Sequence, residues 1–250
     1  MEAVIIESIG KKKKGLSLTF KAEGKVLDYY KFEGVNASQD FGSYLELNQN
    51  EIEKVKSLNL SIRYQPFEYI IKFTQLETLH IQGAQILSFP KLKSLTGLNS
   101  IYINQFAKPT ELKNLSTAPK LEELHIGNFT FNGPIQIENF DEIIKSEKLK
   151  TLMLSYCKFD EEELKRIVNL KQLSEFGVSQ KVTTETLAFL SVKLKKVKSN
   201  ELKAWQECKT PWGNIKINGK RKPYLDKEKD MDKIKKYEKK FDELRMKYAL

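Results

Sequence analysis

Six stretches of the chain share one spacing: a large apolar residue, two free positions, a second apolar residue, one free position and a third. They read Val55–Leu58–Leu60, Leu76–Leu79–Ile81, Leu98–Ile101–Ile103, Leu121–Leu124–Ile126, Leu149–Leu152–Leu154 and Leu173–Phe176–Val178. A weaker seventh begins at Leu194, and successive starts lie 21, 22, 23, 28, 24 and 21 residues apart. The last two apolar positions are two residues apart, so a strand points both to one side and their neighbours to the other. One such strand cannot bury its face alone. Stacked units make a continuous core, which predicts a solenoid whose two ends are capped.

The spacing and period resemble those of the leucine-rich repeat family. The resemblance implies an α/β solenoid of about seven repeats, with a parallel sheet on the concave face, a non-repeat N-terminal β cap and a C-terminal helical cap. The family pattern continues with a small polar residue or Cys three positions on and then an apolar one. Cys157 with Phe159 and Ala84 with Ile86 match this extension, whereas Phe106, Phe129 and Lys181 depart from it.

Between the motifs, Asp160 to Val168 carries acids in its first turn and apolar residues at helical spacing, so a short helix is expected. Another is expected from Thr183 to Leu190. Gly133–Pro134 should open a loop, followed by a helical turn from Phe140 to Ile144.

Residues 1–50 lack the repeat. Leu16–Phe20 and Val26–Phe32 flank Ala22–Glu23–Gly24, which predicts a β-hairpin, with Asp40 to Leu47 leading into the first repeat. The solenoid is assigned to 51–200. Residues 201–250 form a basic C-terminal cap. There, Pro211–Trp212–Gly213 predicts a turn between short strands. Met231, Ile234, Tyr237, Phe241, Leu244 and Tyr248 recur at three- and four-residue steps, the stripe of an amphipathic helix over 226–250. Trp205 and Trp212 are expected to pack beneath it.

At 250 residues and 40% hydrophobic, the chain can bury a sizeable core. It has no apolar run of the roughly 18 residues that would suggest a membrane span. Its opening residues, Met1–Glu–Ala–Val–Ile–Ile–Glu, have neither a basic leader nor a cleavage site, so no secretory signal is expected. Its two cysteines make no disulfide framework, and both are expected to be reduced packing residues in a cytoplasmic protein. The net charge of +10 is uneven. Residues 191–250 hold 19 Lys and Arg against 9 Asp and Glu; removing these from the chain's 43 and 33 leaves 24 of each sign elsewhere. The basic residues Lys196, Lys198, Lys220, Arg221 and Lys222 form a rim suited to an acidic patch on a partner. No nucleic-acid module is recognisable, so nucleic acid is a poor expectation, and the lysines at 11–14 are expected in a solvated turn.

Residues beside the paired apolar positions would line the concave face. Asn59, His80, Tyr102, His125, Met153, Gly177 and Lys198 form its central column. The neighbouring columns include Glu123 and Glu175 on one side, and Gln82 and Asn104 on the other. Both histidines of the chain fall in the central column with Tyr102 between them. Zn²⁺ needs three or four ligands, and no Cys or Asp joins that column. Nor does a hydroxyl or thiol have the base and orienting carboxylate of a nucleophilic site. No metal, cofactor, small-molecule substrate or catalysis is expected. Aromatic and Met side chains among small polar ones suit protein recognition, placing the partner on His80, Gln82, Tyr102, Asn104, Glu123, His125, Met153 and Glu175. The resemblance suggests, most concretely, a bacterial immunity protein that occludes a cognate toxin. An effector or regulatory adaptor, or a nucleic-acid binder using the basic end, are the alternatives.

Overall fold

The computed structural model describes residues 1–9, 14–33, 37–61, 67–83, 88–104, 112–128, 133–178 and 182–249. Several positions considered above lie outside them: Lys11 to Lys13, Ala84, Ile86, Phe106, Phe129 and Lys181.

The chain opens with β1 (Glu2–Ile9), β2 (Lys14–Ala22) and β3 (Lys25–Glu33), then α1 (Ala37–Leu47) and α2 (Gln49–Ile52). The expected hairpin is β2–β3, turning at Glu23–Gly24, where Gly24 adopts φ +76°. Each apolar motif then supplies one strand: β4 (Ser57–Ser61), β5 (Thr78–Gln82), β6 (Ser100–Asn104) and β7 (Glu123–Gly127). The long fourth interval holds β8 (Ile135–Gln136) and α3 (Asp141–Ile144) before β9 (Thr151–Ser155). Next come β10 (Cys157–Lys158), α4 (Glu161–Lys165), β11 (Glu175–Val178) and α5 (Thr184–Lys193). The chain closes with β12 (Trp205–Thr210), β13 (Gly213–Ile217), β14 (Tyr224–Leu225) and α6 (Met231–Ala249).

One nine-stranded sheet organises the molecule, in the order β11-β9-β7-β6-β5-β4-β1-β2-β3. From β11 to β1 every neighbouring pair is parallel and in unbroken register. The apolar positions of each motif face inward, with Leu58, Leu79, Ile101, Leu124 and Leu152 fully buried in one continuous core. Burying a side chain of this size contributes about 1.5–3 kcal/mol, so each added repeat deepens a shared core that no single strand could build.

Short connections close the other side. The 3-10 turns Phe67–Lys72, Leu92–Ser94 and Leu115–Thr117 replace helices in the first intervals. The two expected helices are α4 and α5. Asp160 caps α4 by accepting the Glu162 N–H at 2.8 Å, and Thr183 caps α5 by accepting the Thr186 N–H at 3.3 Å. After Gly133–Pro134 the chain makes the two-residue strand β8, parallel to β10, before its helical turn. Cys157 at the start of β10 is buried.

Three features differ from the sequence expectation. β1 was not foreseen, yet it lies between β4 and β2 and joins the hairpin to the ladder, so the N-terminal strands continue the same sheet. Its alternating Ala3 and Ile5 face the core. The seventh motif yields no strand; Lys198 makes a lone bridge to Glu175. Its N–H donates to the Ser174 carbonyl at 2.8 Å, as Ser174 does to Lys150. The run of lysines around it offers no inward-facing apolar pair to continue the ladder. Trp212, finally, is 74% exposed at the tip of the β12–β13 turn, beside Gly213 at φ +149° and with its ring 6.0 Å from that of Tyr224. Trp205 does pack, donating its indole N–H to Glu238 at 2.7 Å.

β12, β13 and β14 form a separate small sheet with its own cluster of Ile215, Ile217, Leu225 and Ile234. Helix α6 joins the two parts. Its Ile234 enters this cluster, whereas Phe241 enters the main core.

Candidate functional site

The in-register ladder aligns one outward residue per strand. Following the pairing across the sheet gives Tyr29, Thr19, Val4, Asn59, His80, Tyr102, His125, Met153 and Gly177 as one transverse row. At about 4.8 Å per strand it runs roughly 38 Å. None of its members carries a formal charge at neutral pH when the histidines are neutral.

The centre of this row is tightly built. The His80 and Tyr102 rings stack at 4.6 Å with 11° between their planes, and Tyr102 and His125 at 4.6 Å with 28°. Such offset ring contacts contribute about 0.5–1.5 kcal/mol each. The Tyr102 hydroxyl donates to Glu123 Oε2 at 3.0 Å, and Ser100 donates to the same oxygen at 3.3 Å. Glu123 thereby fixes the ring from the adjacent column. Met153 extends the row over Gly177, where a Cβ would meet its sulfur at 2.5 Å. Asn59 is held by donating to Glu2 Oε1 at 2.6 Å.

Electrostatics keep the stack neutral. Burial lowers the His80 pKa, partly offset by Glu2. Burial also lowers that of His125, partly offset by Glu123 and Glu175. Tyr102 is shifted upward by burial and by its bond to Glu123, so its hydroxyl stays protonated.

This fold is a leucine-rich repeat solenoid. Its parallel, one-strand-per-repeat ladder, with a shared core on one side and short turns closing the other, is the architecture that the repeated motif implied. Solenoids of this kind present such sheet faces as extended binding surfaces. No family model matches the chain, and neither does any curated protein. Among solved structures it is similar to a leucine-rich repeat protein of Leptospira interrogans (19% identity, 58% of this chain and 36% of that one, TM-score 0.41). It is similar also to an internalin of Listeria monocytogenes (19% identity, 58% and 47%, TM-score 0.36). The chain thus aligns with less than half the length of either protein, and the register of its own ladder is what defines the fold.

Of the residues singled out in the sequence, the solenoid brings His80, Tyr102, His125 and Met153 into the central row. Glu123 and Glu175 share one flanking row, and Gln82 and Asn104 share the other, both exposed. Lys198 is displaced from the central row to the Glu175 side by the lone bridge, and Lys196 is exposed beside it. Lys220, Arg221 and Lys222 lie elsewhere, in the turn after β13. What the sequence concealed is the continuation through β1, β2 and β3, which adds Val4, Thr19 and Tyr29 to the row and 43%-exposed Ile6 beside it. The short continuous apolar run Ala3–Val4–Ile5–Ile6 was the available signal. Among the described residues, no three His, Cys, Asp or Glu side chains are grouped as a metal site, and no helix is long and apolar enough to cross a membrane.

Proposed function

We propose that the protein is a non-catalytic binder that holds a protein partner on the open face of its sheet, with His80, Tyr102, His125 and Met153 as anchors and Gln82, Asn104, Glu123 and Glu175 around them. The stacked His80–Tyr102–His125 triplet carries this reading. It presents aromatic contact area whose rotamers are already fixed, so little side-chain entropy is lost on docking, and aromatic groups of this kind anchor protein interfaces. The concrete task we favour is that of an immunity protein: stoichiometric occlusion of a bacterial toxin, for which a rigid preformed face is well suited. Both cysteine thiols are free, which accords with a reducing, cytoplasmic setting.

Affinity purification from the native host, followed by assay of the captured partner for toxicity, tests the task. A toxic partner whose activity is lost in the complex supports occlusion. A non-toxic regulatory protein or a host target points instead to an adaptor or effector. Tyr102→Ala combined with His125→Ala tests the surface, with an expected loss of more than about 2 kcal/mol in calorimetry. Unchanged affinity in a folded double variant rejects the anchor assignment.

A further inference from the structure

The +10 charge of the chain resides in its last sixty residues, and the fold sorts that charge by face. On α6, Lys233 pairs with Asp230, Arg245 with Asp242 and Lys247 with Glu185. Glu238 is turned to the Trp205 indole. Lys235, Lys236, Lys239 and Lys240 are left exposed on one side of the helix, without an ion-pair partner among the described residues, between Asp232 and Glu243.

A second basic element converges on the same helix. The turn after β13 carries Lys220, Arg221 and Lys222, with Arg221 held at φ +57°. Lys222 extends over the Tyr237 ring, its Nζ 5.3 Å from the centroid. Tyr237 and Lys240 are three residues apart and therefore neighbours on the helix surface. Lys222 and Lys240, from two separate elements, thus border one ring.

We propose that this joined surface, made by Lys220, Arg221, Lys222, Lys236 and Lys240, docks the phosphate backbone of double-stranded nucleic acid without reading its sequence. It is a second binding site, separate from the sheet face. Lysine is depleted from protein–protein interfaces, which rely on aromatic and arginine anchors, and the five side chains of this surface are four lysines and one arginine. That composition also offers nothing to insert into a lipid bilayer. The Tyr237 ring, covered by Lys222, provides no platform on which an unpaired base could stack. Point charges on a rigid helix suit phosphate neutralisation with counterion release.

Fluorescence anisotropy of a labelled mixed-sequence DNA duplex, titrated with the full chain, tests the proposal. Five phosphate contacts predict a slope of log K against log salt of about −4 to −5, and an affinity loss of about 10²–10³-fold between 50 and 200 mM salt. Lys236→Gln with Lys240→Gln should reduce the slope by about 2, and the triple Gln replacement of Lys220, Arg221 and Lys222 by about 3. Lys91→Gln with Lys93→Gln, on another face, should change nothing. All these side chains lie at the surface, and the wild-type salt slope is informative without any variant. No duplex binding at low salt overturns the proposal. So does a salt slope left unchanged by loss of either set, or tighter capture of poly-glutamate, single-stranded DNA or anionic vesicles than of the duplex.

Discussion

Replacing Tyr102 tests the central row most directly. The Tyr102→Ala variant loses two ring contacts of about 0.5–1.5 kcal/mol each, together with a hydrogen bond to a carboxylate. Such a bond contributes about 1.5–3 kcal/mol when buried, and roughly half that at this half-exposed site. Allowing for relaxation of both imidazoles, the expected loss is about 2–3 kcal/mol in urea unfolding, whereas Tyr102→Phe keeps the stack and should cost about 1 kcal/mol. A second readout follows from charge. Burial lowers the pKa of both histidines in the folded state, so the unfolded chain takes up protons first as pH falls. Their contribution to stability is complete above the ordinary value of 6.5, declines as pH drops below it, and levels off once both states are protonated. Opening the stack should bring both values back toward 6.5 and flatten that part of the stability curve. The chain contains two histidines, so a proton NMR titration resolves both imidazoles with few assignments to make. Histidines that titrate at or above 6.5 in the wild type, or a Tyr102→Ala loss below about 0.5 kcal/mol, refute the stacked arrangement.

Two further outcomes bear on the framework. Leu124→Ala removes a fully buried side chain from the middle of the ladder and should cost about 2–5 kcal/mol, while Gln82→Ala on the open face should stay within about 0.5 kcal/mol; similar costs in chemical denaturation would mean that the strand faces are misassigned. The Cys157 thiol is pushed up to about 12 by burial, so in the native protein it should resist a thiol reagent at pH 8 and react only on unfolding. Rapid native labelling of Cys157, located by peptide mapping, would contradict its core position.

The repeat strands were legible because their signal is local and recurs. Leu79–His80–Ile81 states its own in–out alternation, and five similar stretches repeat it. Identical repeat strands stack in register, so His80, Tyr102 and His125 could be aligned from their motif positions alone. The stacking of their rings and the Glu123 bond depend on rotamers that a pattern does not encode. β1 escaped because it occurs once and its neighbour β4 lies more than fifty residues away. Lys198 was misplaced because the Leu194 motif copies the spacing without the apolar third position that would hold a strand in register. Residue type alone places Trp212 beneath α6, but its position at the tip of the β12–β13 turn leaves the indole exposed. The basic surface on α6 required knowing which acids are already engaged, and that is settled only by partners such as Trp205 and Glu185.

The interval between β7 and β9 is the longest of the series, yet His125 and Met153 remain directly paired across it. Extra chain is absorbed behind the sheet by β8 and α3, away from its open face. Insertions and deletions in the return loops can therefore accumulate without altering what the front displays. A scaffold with this division of labour can exchange one partner for another by substituting single side chains, its architecture left untouched.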